Sequence, residues 1–181
     1  NPSMTDLIYF DTDCLSSFLW VSREYLLIRL YKGKIILSQQ VYREITIVPQ
    51  LKVKVDKFID SNEFTRCDFQ IDSSEAVLYM QLTKHPEKGR KIIGNGEASV
   101  ISLAKCRDGI VGSNNLKDIQ EYLDDYNLRH ISTAEILNEA LNQKLIDIKV
   151  GNNIWRDMLN RNIWLPADSF SDYYARNSHF T

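Results

Sequence analysis

The stretch Ile8-Tyr9-Phe10-Asp11-Thr12-Asp13-Cys14-Leu15 constrains the fold of this chain more than any other. Residues 7–10 are uncharged and apolar, with Ile, Tyr and Phe favouring extended backbone, which is the pattern of a short strand buried on both faces. The strand breaks into Asp-x-Asp, and amphipathic helix spacing follows at once. In an open parallel α/β sheet, residues at that place stand on the carboxyl edge, where such sheets bind ligands. Two carboxylates there are costly unless a cation, a proton or hydrogen-bond donors offset them. Two readings stand: the pair belongs to a metal site, or Asp11 or Asp13 caps the next helix.

Downstream, strand-like and helix-like segments alternate. Leu15, Phe18, Leu19, Leu26, Leu27, Leu30 and Tyr31 keep near-helical spacing and predict one helix over 15–31, ended by Lys32-Gly33. Lys34–Leu37 reads as a buried strand. A helix follows with Val41, Ile45 and Val48 on its apolar stripe and Glu44 beside that stripe. Pro49 opens a second helix over 50–60, where Lys52, Lys54 and Lys57 are read as a solvated face, with RNA contact as the lesser alternative. Residues 64–71 are a weak strand or extended loop, and a helix from Ser73-Ser74-Glu75 breaks at His85–Gly89. Gly94-Asn95-Gly96 then opens a helix of small and apolar residues, a central buried helix with Glu97 in its first turn, where the helix dipole favours an acid. Ile110-Val111-Gly112 is a short strand ending in Ser113-Asn114-Asn115, and a helix starts at Leu116. His130–Ser132 is a further strand, and Ser132 or Thr133 caps the helix after it, Glu135 being placed to complete a capping box should Ser132 be the cap. Asp147–Asn162 reads as the last long helix. The alternation predicts an α/β class with a mostly parallel sheet. One domain over 4–165 is expected, and a tail over 166–181 whose Phe170, Tyr173, Tyr174 and Phe180 pack on the domain or on a partner. Asn1-Pro2-Ser3 before Met4 reads as a cloning remnant.

Composition narrows the function classes. The net charge of −2 and pI near 5.9 give no global basic footprint, so any nucleic-acid contact must be local. Lys84, Lys88, Arg90 and Lys91 form the densest basic cluster, read either as a solvated loop or as a phosphate-contacting patch. Cys14, Cys67 and Cys106 are scattered with no CxxC pair, which speaks for reduced thiols and a cytoplasmic location. No run approaches the roughly 18–20 apolar residues of a membrane span, and no signal peptide is visible. His85, His130 and His179 share no ligand spacing and are read as surface or satisfied histidines. The Gly-Asn-Gly loop completes no phosphate-binding motif.

Residues that follow parallel strands gather on one sheet edge even when distant in sequence. Asp11 and Asp13 follow the first strand, and Ser113, Asn115 and Asp118 follow a later one. Glu97 opens the helix before that strand, and Glu44 lies on an early helix. Should these meet, the ligand set is all oxygen, with neither imidazole nor thiolate, and suits Mg²⁺ or Mn²⁺. Acid clusters of this type serve phosphodiester hydrolysis, in which the cation neutralises phosphate charge and acidifies a water.

Four segments together resemble the PIN domain, and especially PIN-like proteins of the bacterial VapC toxin type. Tyr9-Phe10-Asp11-Thr12-Asp13-Cys14-Leu15 resembles the family's strand-Asp-Thr-x-x-Leu opening. Val41-Tyr42-Arg43-Glu44-Ile45 is similar to its helix with the second acid, and Gly96-Glu97-Ala98-Ser99-Val100-Ile101 to the Gly-Glu-Ala form of its third-acid helix. Ser113-Asn114-Asn115-Leu116-Lys117-Asp118-Ile119 resembles the Ser/Thr-Asn-Asp segment with the fourth acid. The resemblance spans nearly the whole chain. It implies a three-layer α/β/α fold and a metal-dependent endoribonuclease, in many members the toxin of a pair with an antitoxin, and it suggests a homodimer. By matching position, Asp11, Glu44, Glu97 and Asp118 are the expected catalytic residues, with Asp11, Glu97 and Asp118 on the metal. Asp13, Ser113 and Asn115 are accessory, Asn115 standing where some members carry Asp. The stretch Trp155–Tyr174 resembles a C-terminal extension in some PIN-like proteins.

Two rival readings remain at this level. One is a PIN-like module whose nuclease has decayed and which binds RNA or protein, a reading that Asn115 and the acidic pI motivate. The other is a haloacid-dehalogenase-type phosphohydrolase with Asp11 as nucleophile and Asp13 as acid/base. That family needs a late acidic pair, and Ser113-Asn114-Asn115 supplies none.

Overall fold

The computed structural model describes residues 6–178. Asn1-Pro2-Ser3, His179 and Phe180 lie outside them. Five short strands form one sheet: β1 (Ile8–Phe10), β2 (Ile35–Ser38), β3 (Thr65–Cys67), β4 (Ile110–Gly112) and β5 (Arg129–Ile131). Their order is β3-β2-β1-β4-β5, and each pairing among them is parallel. The chain therefore winds outward from β1 on one side, then returns to place β4 on its other flank. That makes the carboxyl ends of β1 and β4 the topological switch point of a doubly wound sheet. All three β1 residues are fully buried, as an uncharged central strand requires.

Ten helices complete the described fold, a three-layer α/β/α arrangement: α1 (Thr12–Trp20), α2 (Glu24–Leu30), α3 (Gln39–Thr46), α4 (Pro49–Asp60), α5 (Ser74–Lys84), α6 (Asn95–Arg107), α7 (Leu116–Asp125), α8 (Thr133–Asn142), α9 (Ile148–Asn160) and α10 (Phe170–Asn177). Helix α6 packs over β1, β2 and β4. Its residues 98–104 are all buried, which is why they are small or apolar all round rather than along one stripe. Glu75 at the start of α5 ties down the other end of α6 through a forked pair with Arg107, in which Arg107 Nε donates at 2.8 Å. Helices α2, α8, α9 and α10 pack on one another as a second group.

The single helix expected over 15–31 is two. Ser22 takes a left-handed backbone (φ 54°) and separates α1 from α2. The break is stabilised from outside the segment: Lys54 Nζ donates to the Leu19 carbonyl at 2.7 Å and to Ser22 Oγ at 2.8 Å, satisfying groups that the end of α1 leaves open. Lys54 is thus a helix cap and not part of a solvated face. Gly33, at φ 74°, makes the turn into β2 that follows α2. Ser132, not Thr133, caps α8, its Oγ accepting from Glu135 N at 3.3 Å.

The aromatic segment after Pro166 folds back on α9. Phe170 is fully buried and its ring sits 5.9 Å from that of Trp155, with Tyr173 at 5.6 Å on the same indole. Trp155 Nε1 donates to the Ala167 carbonyl at 2.9 Å, so the polar edge of this buried indole is satisfied as well.

Candidate active site

Strand pairing delivers the first acid. Asp11 N donates to the Gly112 carbonyl at 2.7 Å, extending the β1–β4 ladder by one residue and setting Asp11 beside Ser113. Gly112 permits this closeness, because a Cβ there would stand 2.9 Å from the Phe10 ring. Asp11 is only 5% exposed. Its Oδ1 accepts from Thr12 N at 2.7 Å and its Oδ2 from Ser113 Oγ at 3.2 Å. The residue therefore caps α1 and also lines the cleft at the switch point, so both readings of this position hold at once. Burial, followed by the negative charge of Asp13 and more weakly of Glu97 and Glu44, pushes the Asp11 carboxyl well above the ordinary carboxylate range. Asp13, in the first turn of α1, accepts from Asn114 N at 3.4 Å, and burial raises its carboxyl too.

Glu44 and Glu97 reach the same cleft from two helices. Glu44, on α3, accepts from Gly96 N at 3.0 Å through Oε1 and from the Thr12 hydroxyl through Oε2. It thereby joins the starts of α1 and α6. Glu97 bends back to accept from Gly94 N at 3.2 Å and also accepts from the Asn115 amide. Two site carboxylates thus satisfy backbone N–H groups at the start of α6, where the helix dipole favours negative charge.

The segment after β4 closes the floor. Ser113 is fully buried and its carbonyl accepts from His130 Nε2 at 2.8 Å. Asn114 exchanges two hydrogen bonds with Thr133, at 2.8 Å and 2.9 Å, locking the end of β4 to the start of α8. Asn115 lines the cleft, and its Nδ2 donates to Glu97 and, at 2.8 Å, to Asp118. Asp118 itself is exposed on the first turn of α7 and does not line the cleft. The fourth acid expected at Asp118 thus meets the site through the amide of Asn115. Beside several carboxylates, an amide at this point adds donors without adding charge.

The cleft has a volume of about 850 Å³ and is lined by Asp11, Asp13, Glu44 and Glu97 together with Thr12, Asn114 and Asn115. Trp20, Lys117 and residues 161–164 beyond α9 also line it. The basic cluster Lys84, Lys88, Arg90 and Lys91 is absent from the lining, and Arg90 pairs with Glu121 at 2.9 Å and with Asp125. Sequence reading did not single out Thr12, Asn114, Trp20, Lys117, Arg161 or Trp164 as site residues. Only the Asp-Thr-Asp run and the Ser-Asn-Asn run hinted at the first two. Nothing local marks the others, because tertiary packing brings them in.

The donor set consists of carboxylate, amide and hydroxyl oxygens, which suits a hard divalent cation. Among the described residues, no lysine or arginine bonds to Asp11, Asp13, Glu44 or Glu97, so their charge is met by neutral donors and by no side-chain cation. By charge and donor type the site fits such a cation. No three of the described acidic, histidine or cysteine side chains are turned together as a closed metal cluster. Glu44 and Glu97 are instead engaged by backbone N–H, hydroxyl and amide donors.

A doubly wound parallel sheet with an acid-lined cleft at its switch point defines the class of protein. A family model of the PIN domain matches residues 7–177, and the chain belongs to that family. Among solved structures, VapBC2 from Rickettsia felis, bound to a DNA fragment from its promoter, is similar at 20% identity and a TM-score of 0.50, over 70% of this chain and 98% of that one. FitAB bound to an IR36 DNA fragment is similar at 12% identity and a TM-score of 0.46, over 70% of this chain and 95% of that one. Among curated proteins, none matches. Family membership sets aside the haloacid-dehalogenase reading.

Proposed function

We propose that this PIN-domain protein is a divalent-metal-dependent endoribonuclease, the toxin of a toxin–antitoxin pair. The observation that carries the reading is the convergence of Asp11, Asp13, Glu44 and Glu97 on one cleft at the sheet's switch point, with no protein cation bonded to them. Asp11 and Glu97 would hold Mg²⁺ or Mn²⁺, with Asp13 and Asn115 beside them. Bound there, the cation supplies neutralisation of the phosphate charge and acidification of the attacking water. Asp11 is held ready by Thr12 N and Ser113 Oγ, which fix both its oxygens. Glu44 positions the start of α6, and hence Glu97, through Gly96 N. Asp118 is a positioning residue that orients the Asn115 amide.

The antitoxin and a second copy of the chain are proposed partners. Exposed apolar side chains on α4 and α5 (Val53, Val77 and Met80) offer surface for them. A cytoplasmic location is proposed from the unpaired cysteines, with no described helix long and apolar enough to cross a membrane. The test is cleavage of RNA by the purified protein in Mg²⁺, Mn²⁺ and EDTA, beside Asp11→Asn and Glu97→Gln. Metal-dependent cleavage should fall by at least about a hundredfold in each variant, as expected when a group stabilising transition-state charge is lost. Undiminished cleavage by Asp11→Asn would sink the proposal. A second reading, a binding module without nuclease activity, is favoured by an amide, Asn115, lining the cleft where Asp118 does not. RNA binding with no cleavage in either metal would select it.

A further inference from the structure

The wall of the cleft away from the carboxylates has a different chemistry. Trp164 is 66% exposed, an unusual state for an indole in a folded chain, and it faces the same cleft as the acids. Half-buried Trp20 carries the Arg161 guanidinium over its ring, 4.8 Å from the centroid. Among the described residues Arg161 and Lys117 form no ion pair, so both cations remain available to a ligand. Trp20 and Arg161 also border an adjoining hollow of about 330 Å³ with Ser22, Asp157 and Asn160. The acid-lined cleft and this hollow therefore share the Trp20–Arg161 stack as a common wall.

We propose that this wall is a subsite for an unpaired stretch of RNA, with a nucleobase stacked on Trp164 and the adjoining phosphates on Arg161 and Lys117. The proposal rests on the nuclease reading for its substrate class. An acid-lined floor repels a polyanion, so a strand can be held across it only where cations and π-faces on the wall compensate. Aromatic stacking demands a base that is already out of a duplex, since paired bases offer no free face. The cation over Trp20 is also held in place before binding, so little side-chain freedom is lost when it meets a phosphate.

The test is binding of a short unstructured oligoribonucleotide, and of an RNA duplex of the same length, to the intact protein in EDTA, where no cleavage intervenes. Fluorescence anisotropy of labelled RNA reads affinity, and tryptophan quenching reads stacking. The single strand should bind more tightly than the duplex and quench tryptophan emission. Trp164→Ala and Trp164→Leu should each weaken binding about tenfold or more, and Trp164→Phe should retain most of it. Arg161→Gln should lower the salt dependence of log K by about 0.7, the loss of one phosphate contact to a single strand. Trp164 is exposed, so circular dichroism of its variants should match the wild type. Unchanged affinity in Trp164→Ala, or equal binding of the duplex, would overturn the proposal. Cleavage assayed in parallel with Mg²⁺ separates the two readings. A cutting enzyme whose RNA affinity ignores Trp164 keeps the nuclease and loses the subsite, whereas Trp164-dependent binding without cleavage does the reverse.

Discussion

Glu44 shows how a single residue can serve fold and site together. Its two oxygens are taken by the Thr12 hydroxyl and by Gly96 N, so the carboxylate is both a tie between α1 and α6 and a charge in the cleft. The space for it exists because residue 96 has no side chain: a Cβ there would lie 2.5 Å from Glu44 Oε2 and 3.0 Å from its carboxyl carbon. The atom in the way is the end of a flexible side chain, so Gly96→Ala should displace Glu44 and leave the backbone in place. The expected result is a stability loss of about 1 kcal/mol, the worth of one hydrogen bond, with cleavage reduced about tenfold or more. Thermal melts and initial rates on the same preparations check both parts. Wild-type rates in Gly96→Ala would mean that the position of Glu44 is irrelevant to the site. The Gly-Glu-Ala segment was legible as a site residue in its helix. Its engagement by Glu44, 52 residues earlier, was not, because no local pattern records a contact of that span.

Among the elements, α9 and α10 depend on one packing knot. Gly151 lets the Phe170 ring lie against the α9 backbone, where an added Cβ would stand 2.2 Å from a ring carbon. Phe170→Ala should cost about 3–5 kcal/mol, the usual range for emptying a buried aromatic site, and Gly151→Val should loosen the same contact by overpacking. Urea denaturation measures the loss. Limited proteolysis should then cut first within 161–169, the connection that also carries Arg161 and Trp164, so RNA affinity should drop in these variants before the acids are disturbed. Resistance of 161–169 to protease in Phe170→Ala would show that another contact holds α10. At this scale the pattern of apolar positions located nearly every helix. It failed at 15–31, where the spacing is helical throughout and the break at Ser22 is stabilised by Lys54 from α4. Residues within the segment cannot report a cap supplied from elsewhere in the chain.

For the molecule as a whole, the acid cluster makes stability depend on pH and on cations. Asp11 and Asp13 have carboxyls raised in the folded state, so between the ordinary carboxylate value and the raised one the folded chain binds more protons than the unfolded chain. Stability must then fall as pH rises through that window. Glu75 has the opposite sign: its pairing with Arg107 lowers its carboxyl, and that stabilisation is lost only as pH falls below the ordinary range. In EDTA the melting temperature should therefore rise as pH is lowered through the raised Asp11 and Asp13 range, and decline once pH falls below the ordinary carboxylate range. Mg²⁺ should raise the melting temperature above that raised range and have a smaller effect below it, because it binds only the ionised, folded site. Asp11→Asn should stabilise the metal-free protein above that range and abolish the Mg²⁺ response. Calorimetry across pH reads all of these, and a melting temperature in EDTA that rises with pH through the raised range would contradict the burial of Asp11 without a cation partner.

What the amino-acid sequence determined unaided is what short-range physics can carry. Alternation of short apolar runs with helical spacing implies a parallel α/β sheet, and an uncharged strand ending in Asp-x-Asp places acids at its carboxyl edge. The order of the four acid-bearing segments makes the PIN family recognisable in the sequence itself. Only the tertiary structure decided which residues share the cleft. It put Asn115 on the wall and Asp118 behind it, left Lys84, Lys88, Arg90 and Lys91 outside the lining, and brought Trp20, Arg161 and Trp164 to the acids instead. Strand order decides such meetings, by setting β4 directly beside β1, and a one-dimensional pattern does not specify it. Residues 20 and 161–164 meet across the fold because buried apolar surface holds α1 and α9 in place, and that driving force is non-directional and leaves no motif in the chain.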